Sequence, residues 1–265
     1  MFLYGGSEVK VFKIMAGKIF RPRVIIPLIL FLLLIGGGIY FWLQQSFPVE
    51  EEAERFLQSD EKVEVSEVND IIKFSPRGED KSTHGIIFYP GGQVQARSYA
   101  VLAYKLSEAG YSVFLVDMPF QLAILNWSAG SEIIKEHGDI KGWSLAGHSL
   151  GGAMAARLLS REQPQAVENI IFLAAYPAEE DDISTKNVNS ITIYGGEDGI
   201  LDKERLKERE DLLPAGYEIA KIEGGNHAGF AHYGEQGGDG EADMTGLEQI
   251  EMTAAKILEF MSQEE

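Results

Sequence analysis

The chain has no cysteine. That excludes a thiol nucleophile, a thiolate metal site and any disulfide. A domain of this size does not need disulfides, so their absence does not argue against export. Histidine is scarce: there are five in 265 residues, and only His227 and His232 lie beyond position 149. Basic residues are outnumbered, 23 Lys and Arg against 41 Asp and Glu, for a formal net charge of −18. The bases are also unevenly placed. Lys10, Lys13, Lys18, Arg21 and Arg23 against Glu8 give residues 1–23 a charge of +4, so the remainder carries −22. Such an acidic body argues against nucleic acid or an anionic membrane surface as a partner. No internal repeat and no low-complexity tract is present, which excludes repeat architectures.

Charge is absent altogether from residues 24–43, a run of 20 apolar or uncharged residues. A helix of that length spans the hydrocarbon core of a bilayer. Arg21 and Arg23 precede it and Glu50-Glu51-Glu52 follows, so the positive-inside rule leaves the N-terminus in the cytoplasm and the body outside. Pro27 and Gly36-Gly37-Gly38 are tolerated in membrane helices. A cleaved signal peptide is the alternative, but its apolar core would be long and Gln44-Gln45-Ser46-Phe47-Pro48 is a poor cleavage site. Met15 is a second candidate start. The expected organisation is a basic cytoplasmic segment 1–23, a transmembrane helix 24–43, an acidic linker 44–60 and a catalytic domain 61–265.

At the centre of that domain stands Gly147-His148-Ser149-Leu150-Gly151, which fits G-x-S-x-G. Residues 143–146 lead in as a buried strand, and the Ala-, Met- and Leu-rich residues 152–159 lead out as a helix. Strand, sharp turn and helix is the context in which this motif places a nucleophilic serine. Elsewhere, period-two alternation at 62–68 predicts a half-exposed strand with residues 70–74 as its hairpin partner. Further strands are expected at 84–89, 111–116, 168–175, 190–194 and 217–222. Helices are expected at 99–109, 121–136 with a break near 126–128, 203–213 and 247–261. Strands alternate with helices, so the fold class is α/β with a mostly parallel, doubly wound sheet.

A serine hydroxyl needs a base to take its proton and a carboxylate to hold that base in the right tautomer. His227, in Gly224-Gly225-Asn226-His227, follows a strand end directly and is the candidate base; His232 lies further into the loop. Asp198, in Tyr194-Gly195-Gly196-Glu197-Asp198-Gly199, also follows a strand end and is the candidate acid. Glu197, Asp181 and Asp182 are the alternatives. An oxyanion hole needs two backbone amides. Leu150 is one candidate, and Gly92 or Gln93, from the turn Tyr89-Pro90-Gly91-Gly92-Gln93, is the other.

These three segments resemble the α/β-hydrolase superfamily, and more narrowly its compact dienelactone-hydrolase-like branch, over roughly residues 60–263. The resemblance implies an eight-stranded-type sheet with helices on both faces, a Ser-Asp-His triad and no cofactor. Dienelactone hydrolases themselves use a cysteine nucleophile, so Ser149 departs from that activity. The link between the strands ending near 175 and starting near 190 is 14 residues long. It leaves no room for a cap domain, because a crossover alone takes about a dozen residues. The site is therefore expected to be open, with a rim from residues 93–98, 118–127 and a flexible loop 228–243. The acidic run 237–243 only faintly resembles a calcium loop, and no metal is expected there. His148 is expected to pack or hydrogen-bond rather than react. The function expected is a membrane-anchored serine hydrolase of small carboxylic or thio esters. Acyl transfer at the same triad, or a silent binding protein on this scaffold, are the alternatives.

Overall fold

The computed structural model describes residues 22–43, 45–78 and 83–263. The basic segment up to residue 21, the alternative start at Met15, and Gln44 lie outside the described residues. The chain divides into two compact units, residues 1–45 and 46–265. In the first, helix α1 (Pro22–Leu43) is the one described element. Its described side chains from 25 to 38 are largely exposed and apolar. The side chains at 22, 24 and 39–43 are outside the described set. Among the described residues no helix is long and apolar enough to cross a membrane.

The second unit is built on eight strands. They are β1 (Val63–Val68), β2 (Ile71–Pro76), β3 (His84–Tyr89), β4 (Ser112–Val116), β5 (Gly142–His148), β6 (Val167–Leu173), β7 (Asn189–Gly195) and β8 (Glu218–Ile222). Their order across the sheet is β1-β2-β4-β3-β5-β6-β7-β8. β2 runs antiparallel to both its neighbours and all other pairs are parallel. Asn69, at φ 54°, turns β1 into β2; Asn tolerates this left-handed conformation better than most residues. The helices are α2 (Glu51–Arg55), α3 (Ala100–Glu108), α4 (Ala129–Glu136), α5 (Leu150–Arg161), α6 (Lys203–Glu208) and α7 (Gly246–Ser262).

Alternate side chains of the central strands feed two separate cores. Ile86 and Phe88 join Tyr99, Leu102 and Ile257 on the face covered by α3 and α7. Ile87 and Tyr89 join Trp143, Leu158 and Phe172 on the face covered by α4 and α5. This is the two-residue period of a strand buried on both sides. At the amino edge of the sheet a polar staple crosses three strands: His84 Nε2 lies 2.8 Å from Ser144 Oγ, and Asn169 Nδ2 donates to the same oxygen at 3.2 Å. Ser144 has no exposed surface, so this Ser-His grouping is structural.

Three segments differ from the sequence expectation. Residues 121–136 are not one broken helix. Two 3-10 turns, Pro119–Gln121 and Ala123–Leu125, precede α4. Phe120 and Gln121 sit at φ 55° and 53°, which no α-helix accommodates. The expected helix 203–213 stops at Glu208 and continues as a 3-10 turn, Glu210–Leu212. Residues 46–60 pack as part of the body instead of tethering it. Ala53 is fully buried, Phe47 packs tilted against Tyr233 with ring centroids 5.1 Å apart, and the Phe47 and Glu50 amides donate to Gln93 and His232 carbonyls. The β6–β7 link, residues 174–188, contains no helix.

Phe172, fully buried at mid-sheet, gives a direct test of this packing. Phe172→Ala removes a ring from a close-packed layer and should cost about 3–5 kcal/mol. A urea titration should show a lower midpoint at unchanged slope; a cost under about 1 kcal/mol would mean the layer is not packed there.

Candidate active site

The carboxyl ends of β3, β5, β6, β7 and β8 form one edge, and Gly92, Ser149, Leu150, Asp198 and His227 lie directly beyond it. Ser149 links β5 to α5 at φ 52°, ψ −120°. A non-glycine residue in that region is strained and persists only where its surroundings over-determine it. Here they do. The Ser149 amide donates to the Leu173 carbonyl at 2.9 Å, tying the turn to the end of β6. A Cβ on Gly147 would stand 2.5 Å from the Gly151 carbonyl carbon, and one on Gly151 would drive into the Tyr89 carbonyl oxygen. Only side-chain-free residues let strand, turn and helix approach this closely.

His227 follows β8 and is 2% exposed. Its Nδ1 lies 2.9 Å from Asp198 Oδ2. The other Asp198 oxygen accepts the amides of Ile200 at 2.9 Å and Leu201 at 2.7 Å. Burial opposes the charge on Asp198, but the His227 hydrogen bond, the His227 charge and the two amides outweigh it and hold the carboxyl below its ordinary value. A carboxylate at Nδ1 selects the tautomer protonated there, leaving the Nε2 lone pair free to accept a proton.

The alternative residues are engaged elsewhere. Asp181 is fully buried between Arg157 and Arg161, at 2.7 and 3.1 Å. Asp182 accepts the Ser184 amide at 2.8 Å. Glu197 is exposed. His232 Nδ1 lies 3.2 Å from Glu50 Oε2.

Leu150 is the first residue of α5, where an amide has no intrahelical acceptor. The turn after β3 abuts it: a Cβ on Gly92 would lie 3.4 Å from Leu150 Cδ2. Of the turn's amides, Gly91 donates to Tyr99 Oη at 3.0 Å and Gln93 to the Gln121 carbonyl at 2.9 Å. Gln93 is therefore not available as an oxyanion donor. Among the described residues the Gly92 amide has no acceptor, which leaves Gly92 and Leu150 as the candidate pair.

A pocket of about 360 Å³ holds Ser149 and His227 together, lined also by Leu150, Tyr176, Ile200 and Arg205. Its walls come from residues that follow β6 and β7, not from the expected rim at 93–98, 118–127 and 228–243. Ala228, Phe230, Ala231 and Tyr233 of the last segment are buried. Among the described residues no group of three or more acids and histidines is placed to hold a metal ion.

His148 packs against His227. Its ring centroid is 4.5 Å from that of His227, and Nδ1 lies 2.7 Å from Tyr99 Oη. Burial, reinforced by the nearby His227, pushes its pKa well below 6.5. A neutral His148 adds no positive charge against a protonated His227. The same shift links stability to pH. Above about 6.5 the imidazole is neutral in folded and unfolded chains alike. Below it only the unfolded chain takes up the proton, so stability falls as pH falls, by up to about 1.4 kcal/mol per pH unit. Urea midpoints of His148→Gln should decline less steeply below that pH than those of the wild type; parallel curves would refute the assignment.

A profile of the Alpha/beta hydrolase family matches residues 85–251, well over half of the chain. No curated protein matches it. Among solved structures, a dienelactone hydrolase from Anabaena variabilis superposes with a TM-score of 0.56 at 17% identity, covering 76% of this chain and 98% of that one. A carboxylesterase from Bacillus subtilis superposes at 0.55 and 11% identity, covering 85% and 98%. Est1E from Butyrivibrio proteoclasticus gives 0.54 at 14% identity, covering 76% and 98%. At such identities the likeness is one of fold. The matched profile, the strand order and the turn at Ser149 agree, and the chain belongs to the alpha/beta hydrolase family.

Proposed function

We propose that the protein is a serine hydrolase of small carboxylic or thio esters, anchored in the cell membrane by residues 24–43 with its body outside the cytoplasm. The observation that carries the catalytic reading is that buried His227, paired with Asp198, lines the same pocket as the strained Ser149. The anchor rests on the sequence: an uncharged run of 20 residues preceded by Arg21 and Arg23.

The proposed reaction runs in two halves. His227 Nε2 takes the Ser149 hydroxyl proton as Oγ attacks the acyl carbon. The resulting oxyanion is met by the Leu150 and Gly92 amides, while Asp198 stabilises the imidazolium. His227 then returns the proton to the departing alcohol or thiol, leaving the acyl group on Ser149. Water, activated by the same imidazole, attacks the acyl-enzyme, and collapse restores the free serine and releases the acid. No cofactor enters these steps. A pocket of about 360 Å³ lies at the small end of ligand sites, and no cap helix stands in the β6–β7 link to sheathe a long chain.

A fluorophosphonate probe should label the wild type and leave Ser149→Ala unlabelled, although both fold. Asp198→Asn should retain its fold and lose about 10⁴-fold in kcat, since the imidazole loses its orienting charge. His227→Ala should be inactive and His232→Ala largely active. The kcat/KM of the wild type should rise with pH on its acidic limb, because only neutral imidazole accepts the proton. Labelling of Ser149→Ala, or full turnover by His227→Ala, would sink the mechanism. Rates across acyl length should favour short soluble esters, with no jump at the substrate's micelle threshold. A preference for long chains would refute the open-site reading. Fractionation of cells should find the intact chain in the membrane with its body open to external protease; a soluble product starting near Gln45 would favour a cleaved leader.

A further inference from the structure

Asp198 and His227 stand on different loops, 29 residues apart in sequence. At their roots the loops are joined by backbone bonds, Gly196 to Ile222 and Glu197 to Gly225, both 2.8 Å. Further out, the tie is a third segment. The Gly-rich residues 234–243, part of the loop 228–243 read from sequence as flexible, place Asp239 between the two loops. Its Oδ1 accepts the amides of Gly199 at 3.1 Å, His227 at 3.2 Å and Gly240 at 2.8 Å. Its Oδ2 accepts the Ala228 amide at 2.8 Å. One carboxylate thus receives amides from the acid's loop and from the base's loop, and bonds of this charged kind are stronger than neutral ones.

The segment is fitted for that role. A Cβ on Gly199 would stand 2.7 Å from the Gly238 carbonyl oxygen, and one on Gly240 would drive into the carbonyl oxygen of Glu197, so the two backbones touch directly. Two bonds fix the segment itself: the Asp243 amide to the Gly224 carbonyl at 2.7 Å, and Asn226 Nδ2 to the Gly240 carbonyl at 2.8 Å. Asn226 is held in turn by Gln249 of α7, which is fully buried and bonds both its amide and its carbonyl.

We propose that Asp239 is a positioning residue, whose carboxylate sets the Asp198 and His227 loops at the separation that the proton transfer requires. This rests on the serine hydrolase reading above. Asp239 does not line the pocket that holds Ser149 and His227; it acts through the two loops. Displacement of a reacting group by about 1 Å costs on the order of 100-fold in rate, so a loosened pair should fold and bind substrate yet turn over slowly.

The test is turnover per active site, with sites counted by fluorophosphonate titration. Asp239→Asn keeps the side chain's size but removes its charge and presents an amide NH₂ where Oδ2 accepted the Ala228 N–H. Its kcat per titrated site should fall by about 10- to 100-fold, with KM changed by less than about two-fold. Gly240→Ala leaves Asp239 chemically intact and pushes its segment off Glu197; it should give the same selective fall in kcat. Wild-type kcat per site in both variants overturns the proposal. So does a loss of titratable sites with normal turnover in those that remain, or a failure of both variants to fold, since either makes Asp239 a purely structural residue. A wild type that resists labelling, or a Ser149→Ala variant that accepts it, overturns the serine hydrolase reading and this proposal with it. The two failures are therefore told apart by the wild type and Ser149→Ala alone.

Discussion

The close approach of Gly151 to the Tyr89 carbonyl is the constraint on which the rest of the structure depends. It lets α5 begin within van der Waals distance of the central strands, and so forces the residue between strand and helix into positive φ. Ser149 bears that strain, held by its bond to Leu173 at the end of β6. The same contact sets the first amide of α5 beside the turn after β3, where Gly92 has an amide with no acceptor among the described residues. Strain, serine and amide pair are consequences of one packing decision.

Around this turn the protein places very few charges out of water, and each has donors aimed at it. Asp198 is buried, and three N–H groups from His227, Ile200 and Leu201 face its two oxygens. A carboxylate so solvated remains ionised where an unpartnered one would take up a proton. His148, by contrast, is buried against His227 and stays neutral. The acidity of the chain, −18 overall, is carried mainly by exposed side chains, so it governs solubility and approach more than the chemistry at Ser149.

Support for the Asp198–His227 pair is layered outward from the pocket. Asp239 holds backbone amides of both loops, Asn226 holds the segment that bears Asp239, and buried Gln249 holds Asn226. Phe47 and Glu50 add a strap from the other end of the chain, through the carbonyls of Gln93 and His232. Residues 46–60 are thus packed into the body that carries the candidate site.

What the sequence by itself determined was local. A two-residue period marked the half-exposed strand at 62–68, and short apolar runs marked the central strands, because a strand buried on both faces is apolar throughout. Gly147 and Gly151 marked the turn at Ser149, since no other residue fits between backbones so near. His227 and Asp198 were legible as polar residues directly beyond strand ends. Only the tertiary structure shows which of the acids pairs with His227. Asp181, Asp182, Glu197 and Asp198 are alike in sequence, and the choice depends on which loop faces Nδ1 of a histidine 29 residues away. It also decided that the Gln93 amide is taken by Gln121, that residues 119–125 turn instead of forming helix, and that Asp239 clasps two loops. These outcomes rest on hydrogen bonds to backbone amides and carbonyls. Every residue but proline carries the same amide, so the partner in such a bond has no signature of its own until the fold brings it near.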